Sequence, residues 1–123
     1  MARHDRWLNL AIELAKKNPN SQHKHGAVYV CGGSVLSVGL NTERKGFFMS
    51  RHAEWHAIRE HLDRRGTLYV ARFKRSGVIG NSEPCNHCMN QLLNYSRARE
   101  VLFTQATHLV GHFNLDNIRR LEW

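Results

Sequence analysis

The sequence predicts a three-layer α/β/α domain with a five-stranded mixed sheet, and three observations indicate this fold class. Amphipathic segments of helical period alternate with short β-branched runs. The predicted elements follow the order α-β-β-α-β-α-β-β-α, which describes one sheet covered by helices. At 123 residues the chain is close to the commonest size for one compact domain, so we expect a single domain over residues 1–123.

In the first half of the chain, turn and cap residues separate the predicted elements. Asp5 can cap the first helix, and Gly32-Gly33 between two β-branched runs is a strong hairpin signal. Gly66 is expected at the C′ position that closes the second helix. The predicted elements are a helix over 5–17, strands over 26–31 and 34–40, a loop over 42–50 and a helix over 52–65.

In the second half, the length of each connection predicts the direction of the strands. A helix separates the third and fourth strands, so these should lie parallel. Three residues separate the fourth and fifth strands, which is too short for a parallel crossover, so these should pair antiparallel. The predicted elements are strands over 67–73, 100–104 and 108–113, a helix that begins with Pro84 at its first position, and a short helix over 116–121.

Composition restricts the class and the compartment of the protein. Hydrophobic residues make up 41% and charged residues 23%, as in folded globular proteins rather than disordered ones. No apolar stretch approaches the roughly 20 residues that cross a bilayer, and the polar N-terminus lacks the apolar core of a secretory signal. Three cysteines do not form a full disulfide framework. We therefore expect a cytoplasmic protein in a reducing compartment, with no membrane partner.

The net charge indicates a partner that carries phosphate. A formal charge of +8 is high for so short a chain and favours nucleotides or nucleic acid. The lysine and arginine residues are scattered rather than grouped in one block, so a generally basic, solvated surface explains the charge equally well. The charge therefore leaves both interpretations open.

Two short motifs place metal-ligand residues at the starts of two predicted helices. His52 opens the second helix, and Cys85-x-x-Cys88 opens the third, with its two sulfurs one helical turn apart. Helix N-termini aimed at one point favour thiolates over thiols. One imidazole and two thiolates supply three ligands to a tetrahedral zinc ion and leave the fourth position open for water, as in catalytic zinc sites.

Glu54 is the candidate catalytic residue. It lies two residues past His52, so its carboxylate is close to any metal that His52 binds. A carboxylate in that place can accept a proton from water and then deliver it to a ring nitrogen and to a departing amine. The pattern therefore predicts a single group that acts first as a base and then as an acid.

These residues resemble the zinc-dependent cytidine and deoxycytidylate deaminase superfamily, whose pattern is H-x-E…P-C-x-x-C. The resemblance extends over residues 26–104, because the order of strands and helices around the motifs also agrees. It implies a zinc cofactor and hydrolysis of cytosine to uracil in a free (deoxy)cytidine nucleoside or nucleotide. The matching residues are His52, Glu54, Pro84, Cys85 and Cys88.

The same resemblance suggests residues that contact the substrate. Asn41 ends a G-x-N segment whose asparagine contacts sugar or base in the family, and the backbone near Ala53 meets the base. Phe48 could stack on a base, or could equally be a core residue. Ser82 and Glu83 directly precede Pro84-Cys85 and complete the set of candidates.

The resemblance leaves the subfamily open. The His-Ala-Glu form is common among deoxycytidylate, guanine and tRNA-adenosine deaminases, whose fifth strand is typically parallel. Enzymes of free cytidine close the sheet with an antiparallel strand, and this chain is predicted to combine a His-type motif with that closure. The alternative within the class is a deaminase of cytosine or adenine in single-stranded nucleic acid.

A different class is a non-catalytic binding module stabilised by zinc. Such a module needs a fourth protein ligand, and Cys31 and His87 are the candidates for it. Cys31 ends a predicted strand, where a cysteine is more often a small core residue, and His87 is expected to be exposed. Homo-oligomerisation is a further expectation, because several aromatic residues lie near the ends of this small domain.

Overall fold

In a computed structural model of the protein, residues 2–19, 24–41 and 52–122 are described. Over these ranges the chain forms four helices and six strands, and the helices lie on both sides of one mixed sheet. The elements are α1 (Ala2–Lys17), β1 (Lys24–Cys31), β2 (Ser34–Leu40), α2 (Ala53–Ile58), β3 (Thr67–Phe73), β4 (Ile79–Gly80), α3 (Asn86–Tyr95), β5 (Glu100–Ala106), β6 (Leu109–Asn114) and α4 (Leu115–Glu122).

The sheet has the strand order β2-β1-β3-β5-β6. The short strand β4 also pairs with β3 but is not part of this order. Strands β3 and β5 are parallel, as predicted from the helix between them. Strands β5 and β6 are antiparallel, which confirms the expectation from their short connection. The sheet therefore closes at one edge with an antiparallel strand.

The sixth strand corrects the predicted number of five. Ile79 and Gly80 fold back antiparallel on the end of β3, opposite Phe73 and Arg72. The backbone N–H of Lys74 donates to the carbonyl of Val78 at 2.8 Å, which closes a tight turn before this short strand. No strand was predicted between residues 73 and 100, because two residues are too few for a periodic strand pattern.

Alternation along the strands produces two cores, one on each face of the sheet. Successive residues such as Leu68 and Tyr69 belong to different cores, as the period of two requires. The core under α2, α3 and α4 includes Ala27, Tyr29, Leu68, Val70, Leu92, Val101 and Phe103. The core under α1 includes Leu8, Ala11, Ala15, Val28, Tyr69, Ala71 and Leu102. These two layers of helix around one sheet confirm the predicted α/β/α class.

The β1–β2 hairpin forms as the sequence predicts. Gly32 and Gly33 have φ angles of 59° and 79°, the left-handed backbone that a two-residue hairpin turn needs at both positions. Residues with a Cβ rarely adopt this conformation, so the glycine pair determines where β1 ends and β2 begins. The observed bounds of β2 and β3 are those predicted.

The predicted second helix is too long. Helix α2 ends at Ile58, and the following residues form turns in which the N–H of His61 donates to Ile58 and that of Arg64 donates to His61. The hydroxyl of buried Tyr29 donates to the carbonyl of Arg64 at 2.5 Å and accepts from the N–H of Gly66 at 3.0 Å. Tyr29 thus fixes the backbone of residues 64–66 from the core, and Gly66 is not a C′ residue.

Several other predicted boundaries differ from the structure: β5 ends at Ala106 instead of residue 104, β6 spans Leu109–Asn114 instead of 108–113, and α4 spans Leu115–Glu122 instead of 116–121. Helix α1 begins at Ala2, so Asp5 lies in its first turn instead of capping it. Strand β1 begins at Lys24 instead of residue 26. Helix α3 begins at Asn86, because Cys85 has extended backbone angles (φ −69°, ψ 168°) and serves as the N-cap residue. Pro84 therefore precedes the helix and does not occupy its first position.

Candidate metal centre

Two helices begin next to each other and bring the predicted ligands together. His52 is the N-cap residue of α2, and its carbonyl accepts the first helical bond from His56 at 3.2 Å. Cys85 has the same place in α3, where its carbonyl accepts from Met89 at 2.9 Å. Cys88 lies one turn further along α3.

The ligand atoms of these residues form a compact group. One nitrogen of His52 and the sulfurs of Cys85 and Cys88 all lie within 4.8 Å of one another. Nδ1 of His52 is 3.1 Å from the sulfur of Cys88 and 3.8 Å from that of Cys85. A tetrahedral zinc ion with ordinary bond lengths holds such nitrogen and sulfur atoms about 3.6 Å apart, between these two distances. The three side chains therefore fit a zinc ion in both donor type and spacing.

The group is open to solvent on one side. Cys88 is buried, His52 is half-buried and Cys85 is exposed. Within residues 2–19, 24–41 and 52–122, no fourth histidine, cysteine or carboxylate joins this cluster. Three protein ligands beside an exposed side are typical of a catalytic metal site, since a structural site is closed by four.

Neither candidate for a fourth ligand belongs to the cluster. Cys31 ends β1 next to the β1–β2 turn, and its thiol donates to the carbonyl of Arg65 at 3.3 Å. The ring of His87 is exposed, as predicted, and its centroid is 6.4 Å from that of His52. Both positions agree with the expectation that these residues do not hold the metal.

Glu54 lies directly beside the ligands. It occupies the first turn of α2, and only 5% of its surface is exposed. Burial raises the pKa of Glu54, while the nearby charge of His52 and a hydrogen bond from the Cys88 thiol oppose this rise. The structure thus places the predicted catalytic carboxyl in a desolvated position in contact with a metal ligand.

The electrostatics of Cys88 favour a cation at the same point. Burial raises the pKa of the Cys88 thiol well above its usual range, and the negative charges of Glu54 and Cys85 raise it further. A divalent cation between these groups would lower the pKa of the Cys88 thiol and of the Glu54 carboxyl, because its positive charge favours the thiolate and the carboxylate together.

Helix α2 is held against the edge strand β2 at van der Waals contact. The hydroxyl of Ser37 donates to the carbonyl of Ala57. A Cβ on Gly39 would collide with the backbone oxygen of Ala53 and would lie 2.7 Å from the nitrogen of Ala57. The absence of a side chain at Gly39 therefore sets the position of α2 and of His52 before it. Ala53 itself is fully buried, and its predicted backbone contact with substrate stays a prediction.

Ser82 connects the segment before Cys85 to the sheet. Its hydroxyl lies 2.9 Å from the carbonyl of Val70, 3.1 Å from the carbonyl of Thr104 and 2.9 Å from the Thr104 hydroxyl. Its N–H donates to the same Thr104 carbonyl at 2.7 Å. These bonds attach the segment before α3 to the middle of β3 and to the C-terminal part of β5. The predicted substrate contact of Ser82 stays a prediction.

Asn41 follows β2 and has a defined side-chain orientation. Its Oδ1 accepts from Nδ2 of Asn18 at 2.6 Å and from the backbone N–H of His25 at 2.9 Å. No role was predicted for Asn18, which directly follows α1. Because Asn18 is 3% exposed, its burial is the property that marks it as part of this network. The predicted binding of substrate by Asn41 stays a prediction.

The remaining substrate-binding candidates are placed as follows. Glu83 is exposed just before Pro84, and its N–H donates to Oδ1 of Asn81 at 3.0 Å. Phe48 lies outside the described residues. Among the described helices, none is long and apolar enough to cross a membrane.

The fold and the His–Cys–Cys group define a zinc-binding α/β/α domain, and comparison with known proteins identifies its family. The family model for the cytidine and deoxycytidylate deaminase zinc-binding region matches residues 1–105. The chain therefore belongs to the cytidine and deoxycytidylate deaminase family, and its metal is zinc.

The chain is similar to individual members of this family in sequence and in fold. A cytidine deaminase of Shewanella frigidimarina (strain NCIMB 400) is 34% identical over 110 residues, which cover 85% of this chain and 35% of that protein. The chain thus spans about a third of the length of this curated relative.

Two solved structures share the fold. The crystal structure of cytidine deaminase from Burkholderia pseudomallei has a TM-score of 0.72 and 23% identity, and the match covers 94% of each chain. The structure of dCMP deaminase from the cyanophage S-TIM5 has a TM-score of 0.63 and 18% identity, and the match covers 95% of this chain and 89% of that one. At these identities the likeness establishes the fold.

Proposed function

We propose that this domain hydrolyses the exocyclic amine of cytosine, in a free cytidine or deoxycytidine nucleoside or nucleotide, to give uracil and ammonia. The observation that carries the proposal is the buried carboxyl of Glu54 beside a metal centre of three protein ligands that is open on one side. A closed structural site does not need a buried carboxyl next to its ligands, whereas activation of water needs such a group to accept a proton.

The residues divide the chemistry between them. His52, Cys85 and Cys88 hold the zinc ion, which, when bound, polarises a water molecule so that it serves as the nucleophile. The carboxylate of Glu54 accepts a proton from the water as its oxygen bonds to C4 of the ring, and delivers that proton to N3. Glu54 then accepts the remaining proton from the new hydroxyl on C4 and transfers it to the amine, so that the C4–N bond breaks, C4 becomes a carbonyl and ammonia leaves. Glu54 ends in the ionisation state in which it began.

The environment of Glu54 suits both steps. Burial raises its pKa, which helps the carboxyl to retain a proton between its removal from water and its delivery to the base. The positive charge of a zinc ion on the adjacent ligands would act in the opposite direction and keep the ionised form accessible. A group of this kind serves as base and acid in turn.

Two observations support a free nucleoside or nucleotide as the substrate. The last strand of the sheet, β6, is antiparallel to β5, and this is the closure that the family resemblance associates with enzymes of free cytidine. The curated relative from Shewanella frigidimarina is named a cytidine deaminase, and the solved neighbours include a cytidine deaminase and a dCMP deaminase.

The second candidate is deamination of a base in single-stranded nucleic acid, which the formal charge of +8 favours. The two candidates differ in their salt dependence. Binding of a polymer neutralises many phosphates, so its affinity falls steeply as salt rises, whereas a mononucleotide gives a shallow slope.

A substrate panel tests the proposal. Purified zinc-loaded protein is incubated with cytidine, deoxycytidine, their monophosphates, guanine, adenosine and single-stranded oligonucleotides, and products are read by mass. A gain of about one mass unit on the cytidine compounds, from replacement of an amine by an oxygen, supports the proposal. Conversion of oligonucleotides alone assigns the second candidate. No conversion of any compound by protein with zinc bound would refute the enzyme and leave a non-catalytic zinc module.

We also propose three properties of the whole chain. It forms one domain over residues 1–123, and it works in a reducing compartment such as the cytoplasm, since Cys85 and Cys88 bind metal only as reduced thiolates. It also self-associates as a homo-oligomer. Sedimentation of the zinc-loaded protein tests this last property, because a monomer at all concentrations contradicts it.

A further inference from the structure

The C-terminal end of α3 is held by a side chain from α4. The last four carbonyls of a helix have no partner within the helix. In α3 two of these are bound by Arg119: its Nη2 donates to the carbonyl of Leu92 at 2.8 Å, and its Nε donates to that of Leu93 at 3.1 Å. A guanidinium at a helix C-terminus also interacts favourably with the helix dipole.

The same guanidinium uses all five of its N–H donors. Nη2 also donates to the carbonyl of Ser96 at 3.0 Å. Nη1 donates to the carbonyl of Ala98 at 2.7 Å and to the carboxylate of Asp116 at 3.2 Å. The Arg119 side chain is 20% exposed, so these charge-assisted bonds form largely away from water. Lysine offers one ammonium and cannot reproduce this planar set of contacts.

These contacts lie close to the metal centre along the helix. Cys88 and Leu92 are one turn apart on α3, and both are fully buried. The carbonyls of Leu92 and Leu93 lie seven and eight residues after Cys85, so about two helical turns, or about 11 Å, join Cys85 to the groups of α3 that Arg119 binds. His52 belongs to α2, so the spacing of the three ligands depends on where α3 lies relative to α2.

We propose that Arg119 is a positioning residue for the metal centre: it fixes α3 from its C-terminal end and thereby holds Cys85 and Cys88 at the correct distance from His52. This inference rests on the zinc site of the proposed function, but not on the identity of the substrate. It predicts that loss of the guanidinium alters the metal site of a protein that is still folded.

The test compares Arg119→Met and Arg119→Lys with Arg120→Met as the matched control. Arg120 is the next residue of α4 and is exposed, so its substitution removes the same charge from the same helix without these contacts. Zinc affinity is measured by competition with a chelator, and the cobalt(II)-substituted proteins are compared by their absorption bands, at a temperature at which circular dichroism shows every variant folded.

We expect Arg119→Met to bind zinc about 10-fold more weakly and to shift the cobalt bands, with Arg119→Lys between it and the wild type. Arg120→Met should match the wild type. A folded Arg119→Met with unchanged affinity and spectrum would overturn the proposal, because a residue that only adds stability leaves both unaltered. If Arg119→Met does not fold, Arg119→Lys decides in the same way. These readouts need no substrate, so they stand even if no compound of the panel is converted.

Discussion

The contact between Glu54 and Cys88 shows how a single carboxyl gains its reactivity. A carboxyl in water stays ionised at neutral pH and returns a proton too readily to carry it between two sites. Burial of Glu54 raises its pKa, and the ligand side chains beside it limit that rise. The buried position in the first turn of α2 therefore gives the carboxyl of Glu54 the pKa that its chemical role needs.

Substitution of Glu54 by glutamine separates chemistry from metal binding. Because the amide keeps the shape of the side chain but cannot accept a proton, we expect Glu54→Gln to retain zinc and to lose turnover by about 10³-fold or more. Metal analysis and the deamination rate measure the two effects. Glu60→Gln, at an exposed acid just beyond α2, is the control and should keep both. Loss of zinc from Glu54→Gln would instead show that Glu54 is a ligand.

Because of Tyr29, the stability of the fold depends on pH in the alkaline range. Its side chain is fully buried, and burial raises the pKa of its phenol above 10.0. The folded state keeps the phenolic proton after an unfolded chain has lost it. The contribution of Tyr29 is therefore fully present below about pH 10 and is lost as the pH rises from there through the folded pKa.

We expect Tyr29→Phe to be less stable than the wild type by about 1–3 kcal/mol at neutral pH, because the partners of the hydroxyl lose their bonds. Above pH 10 this difference in the free energy of unfolding should narrow. Tyr29 then ionises in the unfolded wild type but not in the folded one, which lowers the stability of the wild type, and Tyr29→Phe has no phenol to ionise at this position. Urea unfolding from pH 8 to 11 measures it. Tyr95→Phe, at a residue that is 69% exposed, should show no narrowing. A difference that stays constant to pH 11 contradicts the argument.

At the scale of single residues, the sequence predicted the metal ligands but not the residues that hold the ligand-bearing segments in place. His52, Cys85 and Cys88 could be predicted because zinc restricts both the type and the spacing of its ligands. Thr104 and Arg119 could not, since their side chains donate to the carbonyls of Gly80 and Leu92, which are far away in sequence. No local pattern encodes such partners, and only the packing of the elements brings them together.

Elements defined by local chemistry were predicted with correct bounds, and those defined by tertiary contacts were not. The Gly32-Gly33 turn and the alternation after it determine β2, whose ends agree with the prediction. The periodicity after His52 continues past Ile58, yet α2 ends there, and the next segment forms turns in which the backbone groups of Arg64 and Gly66 bind the Tyr29 hydroxyl. Helical period describes what a segment can form, and tertiary packing can select turns in its place.

At the same scale, the contact between α2 and β2 predicts a long-range effect on the metal centre. Gly39→Ala should push the start of α2 away from the sheet, because the new methyl meets backbone atoms of Ala53 and Ala57 that cannot rotate aside. We expect a loss of about 1–3 kcal/mol in stability, together with weaker zinc binding, since His52 moves with the helix.

Thermal unfolding and chelator competition measure the two effects of Gly39→Ala. Val38→Ala, one residue earlier at a side chain that is 46% exposed, is the control and should change neither by much. If Gly39→Ala bound zinc as tightly as the wild type, the close packing of α2 on β2 would have no part in placing His52.

For the molecule as a whole, the metal centre joins two parts of the sheet that the chain connects only indirectly. His52 precedes α2, which packs on β2 at one edge, while Cys85 and Cys88 belong to the α3 connection between the parallel strands β3 and β5. A zinc ion bound to all three links the hairpin half of the domain to its parallel half. Binding to the folded state alone adds to the free energy of unfolding by mass action.

Removal of zinc should therefore destabilise the entire domain. With free zinc at about 100 times its Kd, the ion contributes about 2.7 kcal/mol, which corresponds to a fall in Tm of several degrees when a chelator removes it. Differential scanning calorimetry of the apo and zinc-loaded protein measures this shift, and added zinc should restore the Tm. Cys31→Ser, at the last residue of β1 and outside the ligand cluster, should keep the full shift, whereas Cys88→Ser should lose it. An equal shift in Cys88→Ser would mean that the stabilising zinc binds elsewhere, because no ligand of the described cluster could then be responsible.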